Sequence, residues 1–243
     1  MPKVKYIYHV FDTLDWRHVR LSLESIAQQT FDPCEFLLYN PSSLDSLTIT
    51  ALAKEICKDK FSEYVFLSCY PKTTRTVDDV RWIVDNVKDS DSYFVHKADF
   101  VLCDNTIQNA FELLRVNPDP MFVNFCKFDL RESLVDSDIN RLSKMTYDQI
   151  IKLEGAVDDA WHIPLELKHD KIGYCGHDGV MHFYNEEARN RLDIDTFTSI
   201  ETVKRNQDRG VMWLYGLNKF LALHLWHDIG GRSDNKNIVG YRF

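Results

Sequence analysis

The first half of the chain alternates between two hydrophobic periodicities. Short strand-like segments rich in β-branched and aromatic residues are separated by segments in which apolar residues recur every three to four positions. The strand-like segments are 4–11, 34–40, 64–70, 92–98 and 121–128, and the helical segments are 16–30, 44–61, 77–90 and 105–116. This repeated alternation predicts an α/β fold with a mostly parallel, doubly wound sheet flanked by helices.

The second half of the chain is less regular. In chain order it shows helical spacing, a glycine-punctuated stretch, a polar helix and an apolar, aromatic helix, at 137–153, 173–184, 185–192 and 209–228. No internal repeat or low-complexity linker divides the sequence. We therefore predict a single domain over 1–243, with a regular half, 1–128, and an irregular appended half, 129–243.

Composition and charge exclude several classes of protein. With 243 residues, 44% of them apolar, the chain is able to bury a sizeable core. The formal net charge is −8 and the lysines and arginines are scattered, so nucleic acid is not an expected partner. No apolar run approaches the roughly 20 residues of a membrane-spanning helix and the N-terminus shows no signal-peptide core, so we expect no transmembrane segment.

The cysteines bear on the cellular compartment. They are widely spaced, contain no C-x-x-C pair and stand mostly in apolar runs; they are Cys34, Cys57, Cys69, Cys103, Cys126 and Cys175. This usage is typical of reduced core thiols and predicts a reducing, cytoplasmic location.

Polar side chains follow the predicted strands at their carboxyl ends, where ligands bind in sheets of this kind. They are Asp12, Asn40, Tyr70 and Asp99. Asp99 is the most informative, because the run "YFVHKADFVL" (93–102) has the pattern of a buried strand that stops on a carboxylate. An ionised Asp is costly to bury unless it is paired. We therefore place Asp99 at the open edge of the sheet, where a ligand would bind.

The cluster "LHLWHDIGG" is the most unusual local feature. His224 and His227 flank a tryptophan, and Asp228 follows. Imidazole with a carboxylate suits Mn²⁺ or a similar divalent ion. The alternative is that a histidine beside a tryptophan is a hydrogen-bonded core residue.

Two further clusters admit both a chemical and a structural interpretation. Asp208, in "RNQDRG", lies before the predicted apolar helix and acts either as its N-terminal cap or as a general base. The "CGHDGV" stretch contains Gly176 and His177, and its glycines allow either a close approach of backbone to a ligand or an ordinary tight turn.

Two acidic strings and one histidine are interpreted as structural. "DSD" (89–91) precedes a strand instead of ending it, so it is expected in a solvated turn on the opposite edge from Asp99. "VDD" (157–159) has no predicted strand before it. His9, within the first strand, is expected to be a core histidine.

Taken in order, these motifs resemble glycosyltransferases of the GT-A fold, particularly the family 2 type, with a galactosyltransferase-like C-terminal histidine motif. Residues 22–30 keep the Ser-Leu-x-Ser-Ile-x-x-Gln-Thr pattern of the family's first helix. Asn40 stands where the family carries an acidic residue that contacts uracil or ribose. Lys97, Ala98 and Asp99 fall on the family's Asp-x-Asp metal motif, of which only the last carboxylate is kept.

The later motifs extend the resemblance over most of the chain. "GYCGHDGVMHFYNEEARN" resembles the glycine-rich loop and strand on the acceptor side. "NQDRGVMWLYGL" resembles the Glu-Asp segment, with Asp208 at the position of the catalytic base and Gln207 in place of the glutamate. "LHLWHD" resembles the C-terminal histidine motif, for which His227 is the better match and His224 the second.

The resemblance implies a glycosyltransferase of the hexosyltransferase type. It would move a sugar from a nucleoside-diphosphate sugar, UDP-linked by preference, to a hydroxyl of a glycan or other acceptor, with inversion. Asp99 and His227 would hold Mn²⁺ or Mg²⁺ on the diphosphate and Asp208 would deprotonate the acceptor. The residues expected to contact the donor are Val10, Phe11, Asn40, Arg75, Arg81, Lys97, Ala98, Gly176 and His177. Residues 1–128 would form the nucleotide-sugar half and 129–243 the acceptor half.

Two rival functions come from other classes. A GT-A-like module that binds sugar nucleotides or glycans without catalysis would explain why Asn40, Lys97 and Gln207 each replace an acidic residue, although Asp208 and the histidine cluster persist. A nucleotidyltransferase with a related sheet would need a glycine-rich loop after the first strand, and "HVFDTLDWRHV" contains no glycine.

Overall fold

The structure is a computed structural model. It describes residues 3–11, 14–32, 34–67, 82, 85–103, 105–116, 119–130, 139–146, 149, 156–158, 181–192, 205–206 and 208–225.

Nine strands form one sheet in the described part of the chain. They are β1 (Val4–His9), β2 (Cys34–Tyr39), β3 (Phe61–Leu67), β4 (Ser92–Lys97), β5 (Phe100–Leu102), β6 (Met121–Leu130), β7 (Ala156–Asp158), β8 (Met181–Asn185) and β9 (Met212–Leu225). The helices are α1 (Trp16–Gln28), α2 (Ser46–Cys57), α3 (Thr106–Val116), α4 (Ile139–Leu142) and α5 (Glu186–Arg191), and a 3₁₀ turn covers Lys58–Lys60.

The sheet is mostly parallel, as the alternation of periodicities predicts. Its strand order is β3-β2-β1-β4-β8-β6-β9-β5, with β7 beside β6. The first four strands are parallel to one another, and β8 is antiparallel to both β4 and β6. Strands β6 and β9 therefore run in the same direction as β1 and β4. The carboxyl ends of all these parallel strands point to one edge, called here the carboxyl edge, and their starts define the amino edge.

Two apolar clusters cover the two faces of the sheet. The first packs α1, α2 and α3 against one face, through side chains such as Val19, Ile49 and Ile107 around the fully buried Tyr6 and Tyr8. The second, on the other face, includes α5; its buried members are Ile7, Leu37, Tyr39, Val87, Tyr93, Val95, Phe122, Tyr184, Ala188, Leu192 and Val211. Because both faces of β1 are covered, its central residues 6–8 are apolar without alternation.

The predicted first-half strands and helices are confirmed to within a few residues at their ends, except for the helix at 77–90, half of which lies outside the described residues, and the short strand β5, which was not predicted. Strand β3 begins at residue 61, not 64, and β5 follows directly after the turn that ends β4. The "DSD" turn lies at the amino edge as expected, where Asp91 Oδ2 accepts a hydrogen bond of 2.6 Å from the backbone of Lys3. Cys34, Cys57 and Cys103 are buried free thiols, as predicted.

The prediction of an apolar helix at 209–228 is wrong. The structure shows a strand, β9, over Met212–Leu225, paired in parallel with β6 and, near its end, antiparallel with β5. A continuous apolar run fits a buried strand and a buried helix equally well by periodicity. The neighbouring strands β5 and β6 supply hydrogen-bond partners for its backbone, and this pairing makes the segment a strand and not a helix. Strand β7 was also not anticipated.

Among the residues described, no helix combines the length and hydropathy that a membrane span requires.

Strand β9 is preceded by a short helical turn that ends at Gly210. The backbone N–H of Val211 donates to the Asn206 carbonyl over 2.9 Å, which is the six-to-one bond of a helix C-terminus closed by a left-handed residue. Gly210 has φ 78°, and a Cβ there would lie 3.0 Å from Arg191 Nη1. Glycine is therefore favoured at this position by its backbone conformation, whereas the Arg191 guanidinium, at the end of a flexible side chain, would only have to shift slightly to admit a Cβ.

Substitution of Gly210 by alanine should lower the free energy of unfolding by about 1–2 kcal/mol, because a Cβ is strained in the left-handed region. Gly210→Asn should cost less, since asparagine tolerates this conformation better. Chemical denaturation of the three proteins measures the effect. An alanine variant as stable as the parent would show that the left-handed turn is not needed to start β9.

Candidate functional site

Strands β1, β2 and β4 end side by side at the carboxyl edge. The backbone N–H of Val10 donates to the Tyr39 carbonyl over 2.9 Å, and that of Ala98 donates to the His9 carbonyl over 2.8 Å. His9 lies opposite Tyr39 on one side and Lys97 on the other. The structure therefore brings together the predicted donor-site residues that follow these strands, including Val10 and Ala98.

The turn at Lys97, Ala98 and Asp99 joins β4 to β5. Strand β5 runs antiparallel to the last part of β9, with Phe100 opposite His224. The backbone N–H of Leu225 donates to the Asp99 carbonyl over 2.7 Å. The end of β9 thus lies against Asp99. Leu225 is two residues before His227 along the chain, so this is the placement that a site shared by Asp99 and His227 would need.

Two oppositely charged side chains stand on this turn, and both are buried. Asp99 is 3% exposed and Lys97 is 9% exposed. The Lys97 ammonium lies 5.7 Å from the centroid of the Phe11 ring, in cation–π geometry. The turn therefore carries one carboxylate and one ammonium, where an Asp-x-Asp motif would carry two carboxylates.

His9 is buried as predicted, but it lies at the carboxyl edge of the sheet and not deep in the core. Burial and, secondly, the positive charge of Lys97 lower the pKa of His9 to about 3, while Asp99 acts in the opposite direction. Its ring centroid is 5.7 Å from that of Phe11 and 5.0 Å from that of Tyr39. Tyr39 in turn lies 5.0 Å from Trp82. A continuous run of rings therefore begins beside the Lys97–Asp99 turn.

His96, a conceivable replacement metal ligand beside Asp99, is not available for that role. Its ring is fully buried on the face covered by α1. The ring nitrogens contact the Tyr6 hydroxyl at 2.5 Å, the Phe100 carbonyl at 3.0 Å and the Ser22 hydroxyl at 3.1 Å. Burial lowers the pKa of His96 to about 4, so the ring is neutral at physiological pH.

Asn40 stands at the end of β2 as predicted, but its amide organises the following loop. Its Nδ2 donates to the Leu44 carbonyl and to the Ser46 hydroxyl, both over 2.8 Å. Its Oδ1 accepts from the backbone N–H of Ser42 over 3.1 Å. Because both amide hydrogens are used within the loop, the expected contact of this side chain with a nucleoside is not supported.

Asp208 lies at the opposite edge of the sheet from Asp99. Residues 205, 206 and 208 are helical, and β9 begins four residues later with Met212 opposite Met121, at the start of β6. The neighbouring Arg209 donates to the Arg191 carbonyl over 3.3 Å, beside α5. The two carboxylates are separated by at least the length of β4, or about 20 Å at 3.3 Å per residue. Asp208 is exposed in the last turn of a helix, so it is neither an N-terminal cap nor a base at the carboxyl edge.

The side chains of the remaining predicted site residues are not described by the structure. Arg75, Arg81, Gly176, His177 and His227 lie outside the described residues, and His224 is described only through its backbone in β9. Among the residues described, no group of three or more His, Cys, Asp and Glu is placed to hold a metal ion.

Three buried polar residues on α1 and directly after it have a structural role that the sequence motifs did not indicate. Ser22, Ser25 and Gln29 have no exposed surface. Ser25 Oγ accepts from the Leu102 backbone over 3.0 Å, and Gln29 Oε1 accepts from the Ile107 backbone over 3.2 Å. Their signal in the sequence is a polar stripe at i, i+3 and i+7 on an otherwise apolar helix face.

Neither a family model nor a curated protein sequence matches the chain. Solved structures do match it. The S. aureus TarS 1-349 complex with UDP-GlcNAc has a TM-score of 0.56 and 11% identity, over 99% of this chain and 62% of that one. GalNAc-T7 with UDP, GalNAc and Mn²⁺ has a TM-score of 0.57 and 8% identity, over 94% and 44%. The mannosyltransferase PcManGT from Pyrobaculum calidifontis, with GDP-Man and Mn²⁺, has a TM-score of 0.55 and 14% identity, over 92% and 56%.

These likenesses establish the fold. The chain has a GT-A-like α/β fold, in agreement with the resemblance of its motifs. It spans between 44% and 62% of the length of the three matched structures.

Replacing Asn40 by the family's acidic residue should destabilise the protein. Asn40→Asp turns the donor to Leu44 into an oxygen that faces a carbonyl oxygen, at an expected cost of about 1–3 kcal/mol. Asn190→Asp is the matched control, because Asn190 is exposed and its Oδ1 accepts from Arg189; it should stay within about 0.5 kcal/mol. Urea unfolding measures both. An unchanged stability of Asn40→Asp would contradict the loop-organising role.

The two buried histidines should make stability fall as the pH is lowered. In the unfolded chain both bind protons near pH 6.5, whereas in the folded chain their pKa values are about 3 and about 4. Their contribution is therefore complete above pH 6.5 and is lost from pH 6.5 down to about 4 for His96 and about 3 for His9, with a slope of about 1.4 kcal/mol per pH unit for each histidine.

Denaturant unfolding from pH 8 to 4 measures this slope. His9→Phe should reduce the slope by about 1.4 kcal/mol per pH unit, the contribution of one bound proton, while keeping a ring beside Phe11 and Tyr39. An identical slope in the variant would show that His9 is not held neutral in the folded chain.

Proposed function

We propose that the chain is a glycosyltransferase that uses a nucleoside-diphosphate sugar, UDP-linked by preference, and transfers the sugar to a hydroxyl of a glycan or other acceptor. The observation that carries the proposal is the hydrogen bond from Leu225 N–H to the Asp99 carbonyl, in a GT-A-like sheet. It joins the end of the last described strand to the turn that matches the family's metal motif. The relatives of this fold named above were solved with UDP, UDP-GlcNAc or GDP-Man, which supports the class of donor.

The donor would lie over the carboxyl edge with its diphosphate at the Lys97–Asp99 turn. The ammonium of Lys97 supplies a fixed positive charge there, within a buried setting where charge interactions are strong. The start of α1 is not an alternative phosphate site, because the Asp15 carboxylate caps it by accepting from the His18 backbone over 3.1 Å. Binding of the diphosphate therefore rests on the turn itself.

The other donor contacts follow from the same placement. Val10, Phe11 and Ala98 lie at the carboxyl edge, and the partly buried ring of Phe11 would offer flat apolar surface to the nucleoside. The remaining predicted contacts, Arg75, Arg81, Gly176 and His177, stay part of the proposal.

Asp99 and His227 are the residues that would hold Mn²⁺ or Mg²⁺. A divalent ion supplies charge neutralisation for the departing diphosphate. The placement of β9 against Asp99 fits such a pair, and Lys97 adds positive charge on the same turn. With one carboxylate in place of two, the dependence on the metal should be weaker than for an Asp-x-Asp site.

Transfer is proposed to proceed with inversion, by attack of the acceptor hydroxyl on the face of the anomeric carbon opposite the diphosphate. Positioning and stabilisation of the departing diphosphate supply the rate gain. The proton of the acceptor must be taken by a group at the carboxyl edge, and Asp208 does not meet that condition.

A second candidate function is a GT-A-like module that binds sugar nucleotides or glycans without transfer. Two observations favour it: the amide of Asn40 is used within its own loop, and Asp208 lies at the amino edge.

The test is release of free nucleoside diphosphate from a panel of sugar nucleotides with Mn²⁺ present. Asp99→Asn should lower kcat/KM by about tenfold or more, because it weakens the stabilisation of the departing diphosphate. Lys97→Met should raise the donor Kd by about tenfold. Asp208→Asn, the same chemical change at the opposite edge, is the matched control and should stay within about twofold of the parent.

The possible outcomes separate the two functions. A donor that binds by calorimetry but is neither hydrolysed nor transferred would establish the binding module. If no sugar nucleotide binds, the glycosyltransferase proposal fails, and of the second candidate only a glycan-binding module remains. Turnover that is unaffected by a chelator would remove the metal and leave Lys97 as the main partner of the diphosphate.

A further inference from the structure

The side chain of His96 bridges the two ends of the turn that carries Lys97 and Asp99, on the face of the sheet covered by α1. It is the residue before Lys97, and its Nε2 lies 3.0 Å from the carbonyl of Phe100, the first residue after the turn. A carbonyl only accepts hydrogen bonds, so Nε2 carries the proton and donates. The ring of residue 96 thus connects both ends of the turn across four positions.

The second ring nitrogen fixes the orientation of the imidazole. Because the buried ring is neutral and its proton is on Nε2, Nδ1 is an acceptor for the Tyr6 hydroxyl at 2.5 Å. Burial raises the pKa of Tyr6, so its hydroxyl keeps the proton that it donates. The imidazole is therefore held at both nitrogens, by β1 on one side and by the turn on the other.

Helix α1 holds the same region from outside the sheet. Ser22 Oγ lies 3.1 Å from Nε2 of His96, and Ser25 Oγ accepts from the backbone of Leu102 in β5. Ser25 also donates to the Ser22 carbonyl over 2.7 Å. Strand β5 has only three residues and lies at the end of the sheet order, so these side-chain bonds replace a neighbouring strand.

Two backbone bonds complete the frame of the turn. Ala98 N–H donates to the His9 carbonyl, and the Asp99 carbonyl accepts from Leu225 N–H. The imidazole of His96 is the side-chain support between them, since it holds the carbonyl of residue 100 directly after Asp99. A shift of this carbonyl would change the directions in which Lys97 and Asp99 project.

We propose that His96 is a positioning residue for the donor site, whose imidazole holds the Phe100 carbonyl and thereby aims Lys97 and Asp99 at the donor diphosphate. The inference rests on the proposed function for its donor, and on the described contacts for its geometry. His96 acts through the turn and touches no substrate.

The test compares His96→Phe, which has no ring nitrogen, with His96→Gln, whose amide is able to donate to the Phe100 carbonyl. His96→Phe should lower kcat/KM for the donor by about tenfold or more, because misplacement of positioning groups is costly. His96→Gln should recover most of that loss. Tyr64→Phe is the matched control: it removes a hydroxyl that donates to the Lys58 carbonyl over 3.1 Å, on β3, three strands from β4, and should leave kcat/KM within about twofold.

Hydrogen exchange at the Ala98 and Leu225 amides reports the turn without any donor. Both amides should exchange about tenfold faster in His96→Phe than in Tyr64→Phe, and His96→Gln should restore their protection. If His96→Phe does not fold, His96→Asn, whose shorter amide does not reach the Phe100 carbonyl, takes its place in both measurements.

Each result tests either the positioning role of His96 or the proposed glycosyltransferase function. Unchanged exchange in His96→Phe, or changed exchange with unchanged kcat/KM, overturns the positioning role. Equal losses of kcat/KM in His96→Phe and His96→Gln overturn it as well. Faster exchange in His96→Phe, in a protein whose parent form uses no donor, supports the turn-setting role and overturns the proposed function.

Discussion

The hydrogen bond from Leu225 N–H to the Asp99 carbonyl is the contact on which the rest of the candidate site depends. It joins two segments that are 126 positions apart, and it exists because β5 pairs with β9 directly after the turn at the end of β4. Without that pairing, the end of β9 and the Lys97–Asp99 turn would not be held at the same edge of the sheet. A three-residue strand thus determines which parts of the chain are able to meet one ligand.

Charge at this edge is balanced within the turn itself. Lys97 and Asp99 are both buried, and an isolated buried charge of either sign would be costly. Their opposite charges offset part of that cost, and the Phe11 ring adds a favourable contact to the ammonium. A turn of this composition favours an anionic ligand over a cation more than two carboxylates would. The substitution of lysine in the motif therefore changes the electrostatics of the site as well as its ligand count.

The support beneath the turn is polar, although it lies inside an apolar layer. The imidazole of His96 and the hydroxyls of Tyr6, Ser22 and Ser25 satisfy one another and the backbone of β5. Buried polar groups cost free energy unless they are paired, so such a network specifies one arrangement of α1 against the sheet. Residues 22–30, at the end of α1 and directly after it, resemble a family pattern. The structure gives three of them a physical role: Ser22 and Ser25 hold the turn and β5, and Gln29 holds the start of α3.

The sequence alone predicted most of the alternating elements of the first half and the ends of β2 and β4 to within one residue, whereas β1 ends at His9 and not at residue 11. Periodicity and chain-breaking polar residues act over a few neighbours, so Asn40 and Asp99 were placed at strand ends correctly. It did not determine what those side chains touch. The amide of Asn40 closes its own loop, His96 faces α1 instead of the edge, and Asp208 lies at the amino edge. The apolar run of β9 was compatible with helix and strand alike. Only tertiary structure decided these points, because each depends on backbone partners or on a sheet direction set by strands far away in the chain.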